Sequence, residues 1–184
     1  MKITIIAFLL IGGCANIATA QKGEKSIAAG IFVALNSHKH LLYPDGHTWN
    51  NGAGLEVTGQ YNFTDKSAAL VQIQLTRFSG QFYSNPGITE STSTLSFSLK
   101  AGYRYQFTPS GFYANVLAGI EGGDDQDESG DYDKLYVPVA VGIGKRFTIM
   151  DNYFIDTGID YYASGFINRF NLKVVFSVFR RPKP

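Results

Sequence analysis

The residues TLSFSLKAGYRYQF, at positions 94–107, alternate between polar and apolar side chains without interruption. In a β-strand, successive side chains point to opposite faces of the sheet, so this pattern predicts a strand with one apolar face and one polar face. The apolar set comprises Leu95, Phe97, Leu99, Ala101, Tyr103, Tyr105 and Phe107. A chain built from such strands must turn its apolar faces either towards its own core or towards lipid.

The same alternation occurs eight times along the chain, and no segment after residue 20 shows a helical period. The apolar sets lie in residues 27–35, 55–63, 69–75, 95–107, 112–120, 135–143, 153–161 and 170–178. The 11 tyrosines, 14 phenylalanines and 20 glycines also favour strands and tight turns over helices. We therefore expect an all-β fold.

The predicted connections alternate in length. Three are short, at residues 64–66, 108–111 and 148–152, whereas residues 36–52, 79–93 and 122–134 read as long loops and 163–166 as a shorter one. An even strand number with short turns at one end and long loops at the other is typical of transmembrane β-barrels. The sequence thus predicts an eight-stranded antiparallel up-and-down transmembrane β-barrel, with its short turns and both termini in the periplasm.

The predicted polar faces carry four acidic and five basic residues among many glycines and amides. They are Glu56, Lys100, Arg104, Glu121, Arg146, Asp156, Asp160, Arg169 and Lys173. Because eight strands enclose a space that side chains fill, we expect a narrow interior of compensating charges without an open pore.

A soluble, lipocalin-like ligand-binding barrel is the alternative fold, with its apolar faces turned inwards. Two features favour the membrane barrel: strands of about ten residues, the length needed to cross the hydrocarbon core, and aromatic residues near the short turns, where an interfacial girdle would lie. These aromatic residues are Tyr61, Phe63, Tyr103, Tyr105, Phe107, Phe112, Phe147 and Tyr153.

Residues 1–20 have the pattern of a secretory signal peptide: one lysine, an apolar run from Ile3 to Ile11, and small residues ending in Ala18-Thr19-Ala20. We therefore divide the chain into a signal peptide at 1–20 and a barrel domain at 21–184. Cys14 lies in a loosely lipobox-like context, so its lipidation is an alternative to cleavage after Ala20. The near-neutral formal charge of +1 gives no indication of a nucleic-acid partner.

The chain resembles the small outer-membrane barrels of the OmpX and OmpA-transmembrane-domain type, including the Bacteroidota-type outer-membrane β-barrel proteins. The resemblance rests on the strand count, the loop asymmetry and segments such as LSFSLKAGYRYQF and FNLKVVFSVF. The resemblance implies insertion into the outer membrane as a monomer. One departure is that the family usually ends on an aromatic residue, whereas Phe179 is followed here by Arg180-Arg181-Pro182-Lys183-Pro184.

The acidic third loop contains a partial calcium-binding pattern. Asp125, Asp127, Ser129 and Gly130 match the first half of a calcium loop, but Tyr136 stands where a bidentate glutamate belongs. We interpret this stretch as a solvated acidic loop. Calcium binding by Asp125, Asp127, Ser129 and Asp131 stays an open alternative.

The first loop holds the three histidines, His38, His40 and His47, with Trp49, but no third fixed zinc ligand is evident. A lipid A-modifying outer-membrane enzyme would need a serine, a histidine and a carboxylate close together, and residues of these types occur without a motif to arrange them. They are His38, His40, Ser79, Ser84 and Asp160.

The sequence therefore predicts a non-enzymatic integral outer-membrane protein without catalytic residues, metal or cofactor. Its expected partners are outer-membrane lipids, lipopolysaccharide and a surface or host molecule that contacts the outer loops. The alternatives are the lipid A-modifying enzyme and the soluble ligand-binding barrel.

Overall fold

The computed structural model describes residues 22–37, 47–85, 88–107, 110–123, 135–150, 152–164 and 167–180. All regular secondary structure within these ranges is β-strand. The strands are β1 (Lys25–Asn36), β2 (His47–Asn62), β3 (Ser67–Asn85), β4 (Ile88–Gln106), β5 (Phe112–Gly123), β6 (Leu135–Tyr136), β7 (Val139–Met150), β8 (Tyr153–Ala163) and β9 (Arg169–Arg180). None of the described residues forms a helix long and apolar enough to cross a membrane.

The strands form one closed antiparallel barrel. Each strand pairs with its neighbour along the chain, β1 pairs with β9, and pairing between β4 and β5 completes the ring. The two-residue β6 and the longer β7 both pair with β5 and together form one interrupted strand. The barrel therefore has eight strands around its circumference, as predicted. The interruption falls at Val137-Pro138, because proline has no backbone N–H to donate to the ladder.

The two ends of the barrel differ. At the short-turn end, which we define by the connections β2–β3, β4–β5 and β7–β8, the strands are joined within a few residues. Gly111 has a φ of 87° in one of these turns, a conformation that glycine adopts without strain. At the opposite end, which we call the loop end, the connections include residues 38–46 and 124–134, which lie outside the described residues.

The apolar faces of the strands point outwards and the polar faces point inwards. Leu99 is 39% exposed on the outer surface, while the next residue, Lys100, is 1% exposed inside the barrel. Ile27, Ile31 and Ile143 are more than 60% exposed. A barrel folded for water would have the opposite arrangement. The apolar faces therefore form a lipid-facing exterior, and the soluble-barrel alternative is wrong.

Several apolar residues nevertheless point into the barrel, where the alternation predicts polar residues. A cluster at the loop end, which we call the inner apolar cluster, packs against the partly buried Tyr136 and consists of Phe32, Ala34, Trp49, Phe78 and Ile167. Deeper in the barrel, Leu70, Leu117, Ala140 and Tyr162 form a second group. Phe154 and Phe179 pack edge to face at the short-turn end, with ring centroids 4.8 Å apart.

The prediction of a long loop at residues 79–93 is wrong. β3 and β4 each run for 19 residues and pair with each other as far as Asn85 and Ile88, so that they form a projecting hairpin. β2 likewise extends beyond its predicted bounds: it begins at His47, within the predicted first loop, so Trp49 lies in a strand. The alternation test misses these segments because apolar and polar residues no longer alternate there, while the backbone pairing continues.

Residues 1–21 and 181–184 lie outside the described residues. The signal peptide, the cleavage site and the lipidation of Cys14 therefore stay predictions.

Candidate functional site

The barrel interior contains a network of buried charges in three layers. All nine charged residues on the predicted polar faces are buried, none more than 7% exposed. Each lies on a strand position that faces inwards, because the adjacent residues on the same strand face the exterior. Some of these charges pair between consecutive strands, as Arg146 does with Asp156 in the β7–β8 register, and others pair between remote strands, as Lys173 does with Glu56. The sequence did not predict these partners.

The layer nearest the short turns is centred on Asp156. Arg146 binds this carboxylate in a bidentate manner, through Nε to Oδ1 and through a terminal nitrogen to Oδ2, both at 2.7 Å. Arg104 donates to Asp156 Oδ2 at 2.9 Å from the other side of the barrel. The Gln60 side-chain oxygen accepts from both arginines, at 3.0 and 3.2 Å. One carboxylate and one amide therefore hold two guanidinium groups together in the interior.

Aromatic rings cover the same two arginines. The Arg104 guanidinium lies 3.9 Å from the ring centroid of Tyr113, and that of Arg146 lies 4.6 Å from Phe179. Stacking on ring faces stabilises a desolvated guanidinium through cation–π attraction. The short-turn end of the interior is consequently filled by ionic and aromatic groups.

The middle layer joins Lys173 to two carboxylates. Its Nζ lies 2.6 Å from Asp160 and 3.6 Å from Glu56. The Gln74 amide donates to Glu56 at 2.8 Å, and the Gln74 oxygen accepts from Lys100 at 2.7 Å. Gln74 on β3 thereby bridges a carboxylate on β2 and an ammonium group on β4.

The outer layer is centred on Glu121. Its carboxylate accepts from Arg169 at 2.9 Å and from the hydroxyls of Ser96 and Ser164. The Tyr162 ring lies between two cations, with Arg169 at 3.6 Å and the Lys100 ammonium at 4.2 Å from its centroid. Above this layer, the inner apolar cluster closes the loop end of the described interior.

A small cavity lies between the first two layers. The cavity bordered by Arg104, Tyr113, Arg146, Asp156 and Lys173 measures about 10 Å³, close to the minimum that holds one water molecule. Glycine makes part of this packing possible: a Cβ at Gly142 would collide with the Asp160 carboxylate and with the side-chain oxygen of Asn115.

The projecting hairpin is the second candidate site. β5 ends at Gly123, which pairs with Ser96 of β4, and no described strand pairs with residues 88–93 of β4 on the side away from β3. Ser91 and Ser93 are exposed on the outer face of this segment. Arg77 on the adjacent β3 is also exposed and donates to the Ser93 hydroxyl at 3.5 Å. The hairpin therefore carries exposed hydroxyl and guanidinium groups beyond the lipid-facing band.

The structure separates the described candidates for a catalytic trio. Ser79 is exposed on β3 and donates to the carbonyl oxygen of Asn51, while Asp160 is buried inside the barrel against Lys173. His38 and His40 lie outside the described residues, as does the side chain of Ser84. The serine and the carboxylate thus face opposite sides of the barrel wall.

The metal-site candidates lie mostly outside the described residues. Asp125, Asp127, Ser129, Gly130 and Asp131 belong to this undescribed part, as does the side chain of His47. Tyr136, at the position where a calcium loop requires a glutamate, is in β6 and packs against the inner apolar cluster. Trp49 is buried in the same cluster, and its carbonyl oxygen accepts from the Asn36 amide at 2.7 Å.

Comparison with known proteins gives a consistent result. A family model described as the outer membrane protein beta-barrel domain matches residues 5–176. A search of curated proteins finds no matching relative.

Solved structures with the same fold include Ail, the attachment invasion locus protein of Yersinia pestis, in complex with the heparin analogue sucrose octasulfate. It is 16% identical, with 87% of this chain and 100% of that chain covered and a TM-score of 0.59. OprG from Pseudomonas aeruginosa is 12% identical, with 91% and 100% covered and a TM-score of 0.60. Ail in a phospholipid bilayer nanodisc is 19% identical, with 86% and 100% covered and a TM-score of 0.53.

Proposed function

The chain belongs to the outer membrane protein β-barrel domain family, and we propose that it is a non-enzymatic barrel that binds an extended protein segment at the cell surface through the edge of its projecting hairpin. The observation that carries this proposal is the projecting hairpin itself: β3 and β4 stay paired as far as Asn85 and Ile88, beyond Ser96, the last β4 residue in the described pairing with β5. An exposed strand edge presents backbone donors and acceptors in a row, and an additional strand satisfies them.

The chemistry of the hairpin favours a polypeptide partner over a polyanion. The outward side chains beside the edge are hydroxyl groups, at Ser91 and Ser93. The third loop, which follows β5, contributes the acidic sequence DDQDESGDYD at residues 124–133. The acidic residues of this loop disfavour soluble sulfated or phosphorylated polymers as partners, whereas main-chain pairing needs no particular charge.

Arg77 supports a role for lipopolysaccharide as a second contact. Its side chain is exposed just beyond the outward apolar residues Ile73 and Leu75 of the same strand. A guanidinium at this level of the barrel would meet the phosphate groups of the outer leaflet. Lipid and lipopolysaccharide contacts would then anchor the barrel, while the hairpin edge binds the partner.

The interior supports a structural and non-conducting role. The three charge layers and the inner apolar cluster support an interior that side chains fill, as expected of an eight-stranded barrel. We propose a monomeric barrel comprising residues 21–184 after removal of the signal peptide at 1–20, with the short-turn end in the periplasm and the hairpin outside. This orientation follows the arrangement of bacterial barrels, in which the short turns are periplasmic.

A phage-displayed peptide library panned against the full chain in lipid nanodiscs tests the hairpin edge. Three single variants, Ser91→Pro, Thr92→Pro and Ser93→Pro, each remove one backbone N–H donor from the edge segment. Since alternate residues of a strand donate towards opposite neighbours, the variants differ in which side of β4 they affect.

We expect enriched peptides that bind the native protein and lose binding to the variants that block the free side of β4. Heat-modifiable migration on gels provides the control for barrel folding in each variant. Peptides that bind all three variants as they bind the native chain, or a library that yields no binder, would refute the proposal.

A further inference from the structure

The outer surface of the barrel has a groove near the short-turn end that the proposed function does not use. Outward residues along β2 run Val57, Gly59 and Tyr61, so that a glycine interrupts a row of large side chains. The register places Ile27 of β1 on one side of Gly59 and Val71 of β3 on the other. The groove has a volume of about 630 Å³, within the range of small-molecule binding sites.

The walls of the groove are apolar and exposed. Ile27 is 69% exposed and Val71 is 53% exposed, and Val178 of β9 also borders the groove. Ala69, opposite Tyr61 in the register, fills little of the groove beside the aromatic ring, because its side chain is a single methyl group. The space above Gly59 is open: a Cβ added to Gly59 would have the Val71 carbonyl oxygen as its nearest neighbour, at 3.9 Å.

A cationic rim borders the groove on the side of the short turns. Lys25 lines the groove itself and lies opposite Tyr61 in the register. Lys22 and Lys66 are exposed at the same end of the barrel, where Asp65 is the neighbouring exposed acid and accepts from the Lys22 backbone N–H. The described rim near β1–β3 is therefore net positive.

This combination matches one class of ligand. We infer that the groove binds an anionic glycerophospholipid, with one acyl chain over Gly59 between Ile27 and Val71 and the phosphate group beside Lys25. A cation and an aromatic ring at one end of an apolar groove complement a headgroup and the chain attached to it. The proposed orientation determines only which leaflet supplies the lipid, and that leaflet would be the periplasmic one. The inference does not depend on the partner of the hairpin.

Native mass spectrometry of the full chain, purified in detergent and stripped of lipid, tests this assignment. The probes are phosphatidylglycerol, phosphatidylcholine with the same acyl chains, and glycerol 3-phosphate. We expect one phosphatidylglycerol to be retained about fivefold more than phosphatidylcholine, the effect of a single lysine beside an anionic headgroup. Glycerol 3-phosphate, which has no acyl chain, should not be retained.

Two variants and two matched controls locate the site. Lys25→Gln should remove the preference for phosphatidylglycerol, and Gly59→Leu, which the open space above Gly59 accommodates, should abolish retention of both lipids. The controls are Lys145→Gln, an outward lysine beside Phe112 and Phe147 on the opposite side of the ring, and Ala118→Leu on the outer face of β5.

Both controls should retain lipid as the native chain does. Unchanged lipid retention in Gly59→Leu, or an unchanged lipid preference in Lys25→Gln, would overturn the assignment. Retention of glycerol 3-phosphate would reduce the site to a phosphate contact and overturn the role of the groove. A dimer that Gly59→Leu dissociates would assign the groove to a second copy of the chain and equally overturn the lipid proposal.

Discussion

Lys173 and Asp160 form an ion pair inside the barrel, with Nζ 2.6 Å from Oδ2 and only 2% of each side chain exposed. The two residues belong to β9 and β8, and Glu56 approaches the same ammonium group from β2 at 3.6 Å. One lysine thus links three strands through two carboxylates. A network of this kind ties distant parts of the chain together only after the barrel has closed.

Removing this lysine should destabilise the barrel strongly. Lys173→Met leaves Asp160 and Glu56 without their shared cation, and breaking a buried pair in this way costs about 3–5 kcal/mol. Lys66→Met, in an exposed turn, is the control and should change stability by less than about 0.5 kcal/mol. Urea-induced unfolding in lipid vesicles measures both, and equal stability of the two variants would contradict the role of the ion pair.

The two faces of β4 should respond differently to charge. Leu99→Arg places a guanidinium on the lipid-facing surface and should cost about 2–4 kcal/mol if residue 99 lies near the bilayer midplane. Lys100→Leu should cost less, because the contacts of Lys100 are the neutral Gln74 oxygen and the Tyr162 ring. The same vesicle unfolding assay distinguishes them, and a neutral Leu99→Arg with a severely damaging Lys100→Leu would reverse the assignment of the faces.

Two glycines on opposite sides of the barrel should differ in their tolerance of a side chain. Gly142→Ala introduces a Cβ that collides with the Asp160 carboxylate, and such overpacking costs about 1–3 kcal/mol. Gly59→Ala meets open space on the outer surface and should be neutral or slightly stabilising, because alanine restricts the unfolded chain. Thermal unfolding of both variants in detergent would show the difference, and similar midpoints would contradict the packing around Asp160.

Purified protein in planar lipid bilayers should show no sustained ion conductance. Ion pairs around Asp156, Lys173 and Glu121 lie inside the barrel at three levels, and the inner apolar cluster packs at the loop end. Eight-stranded barrels have interiors that side chains can fill. Stable single-channel steps that persist across independent preparations would show that these layers open.

The alternation of residues such as Leu99 and Lys100 determined the strands, the strand count and the distinction between an apolar and a polar face. It did so because side-chain direction in a strand is a local property of the backbone with a period of two residues. The family model agrees with that fold prediction. The exposed aromatic residues at the short-turn end, including Tyr61 and Phe112, were also predicted from their position in sequence.

Only the tertiary structure decided which charges pair and how far the strands extend. Lys173 contacts Asp160 on the neighbouring β8 and Glu56 on β2, which is remote in sequence, and these contacts depend on the register and closure of the barrel. The inward positions of Phe32, Trp49 and Phe78 conflict with a simple polar interior, because the loop end is closed by packing between strands. The alternation also did not predict the length of the projecting hairpin. Between Leu95 and Ile88, β4 is held by backbone pairing with β3, and backbone pairing does not require an alternating pattern of side chains.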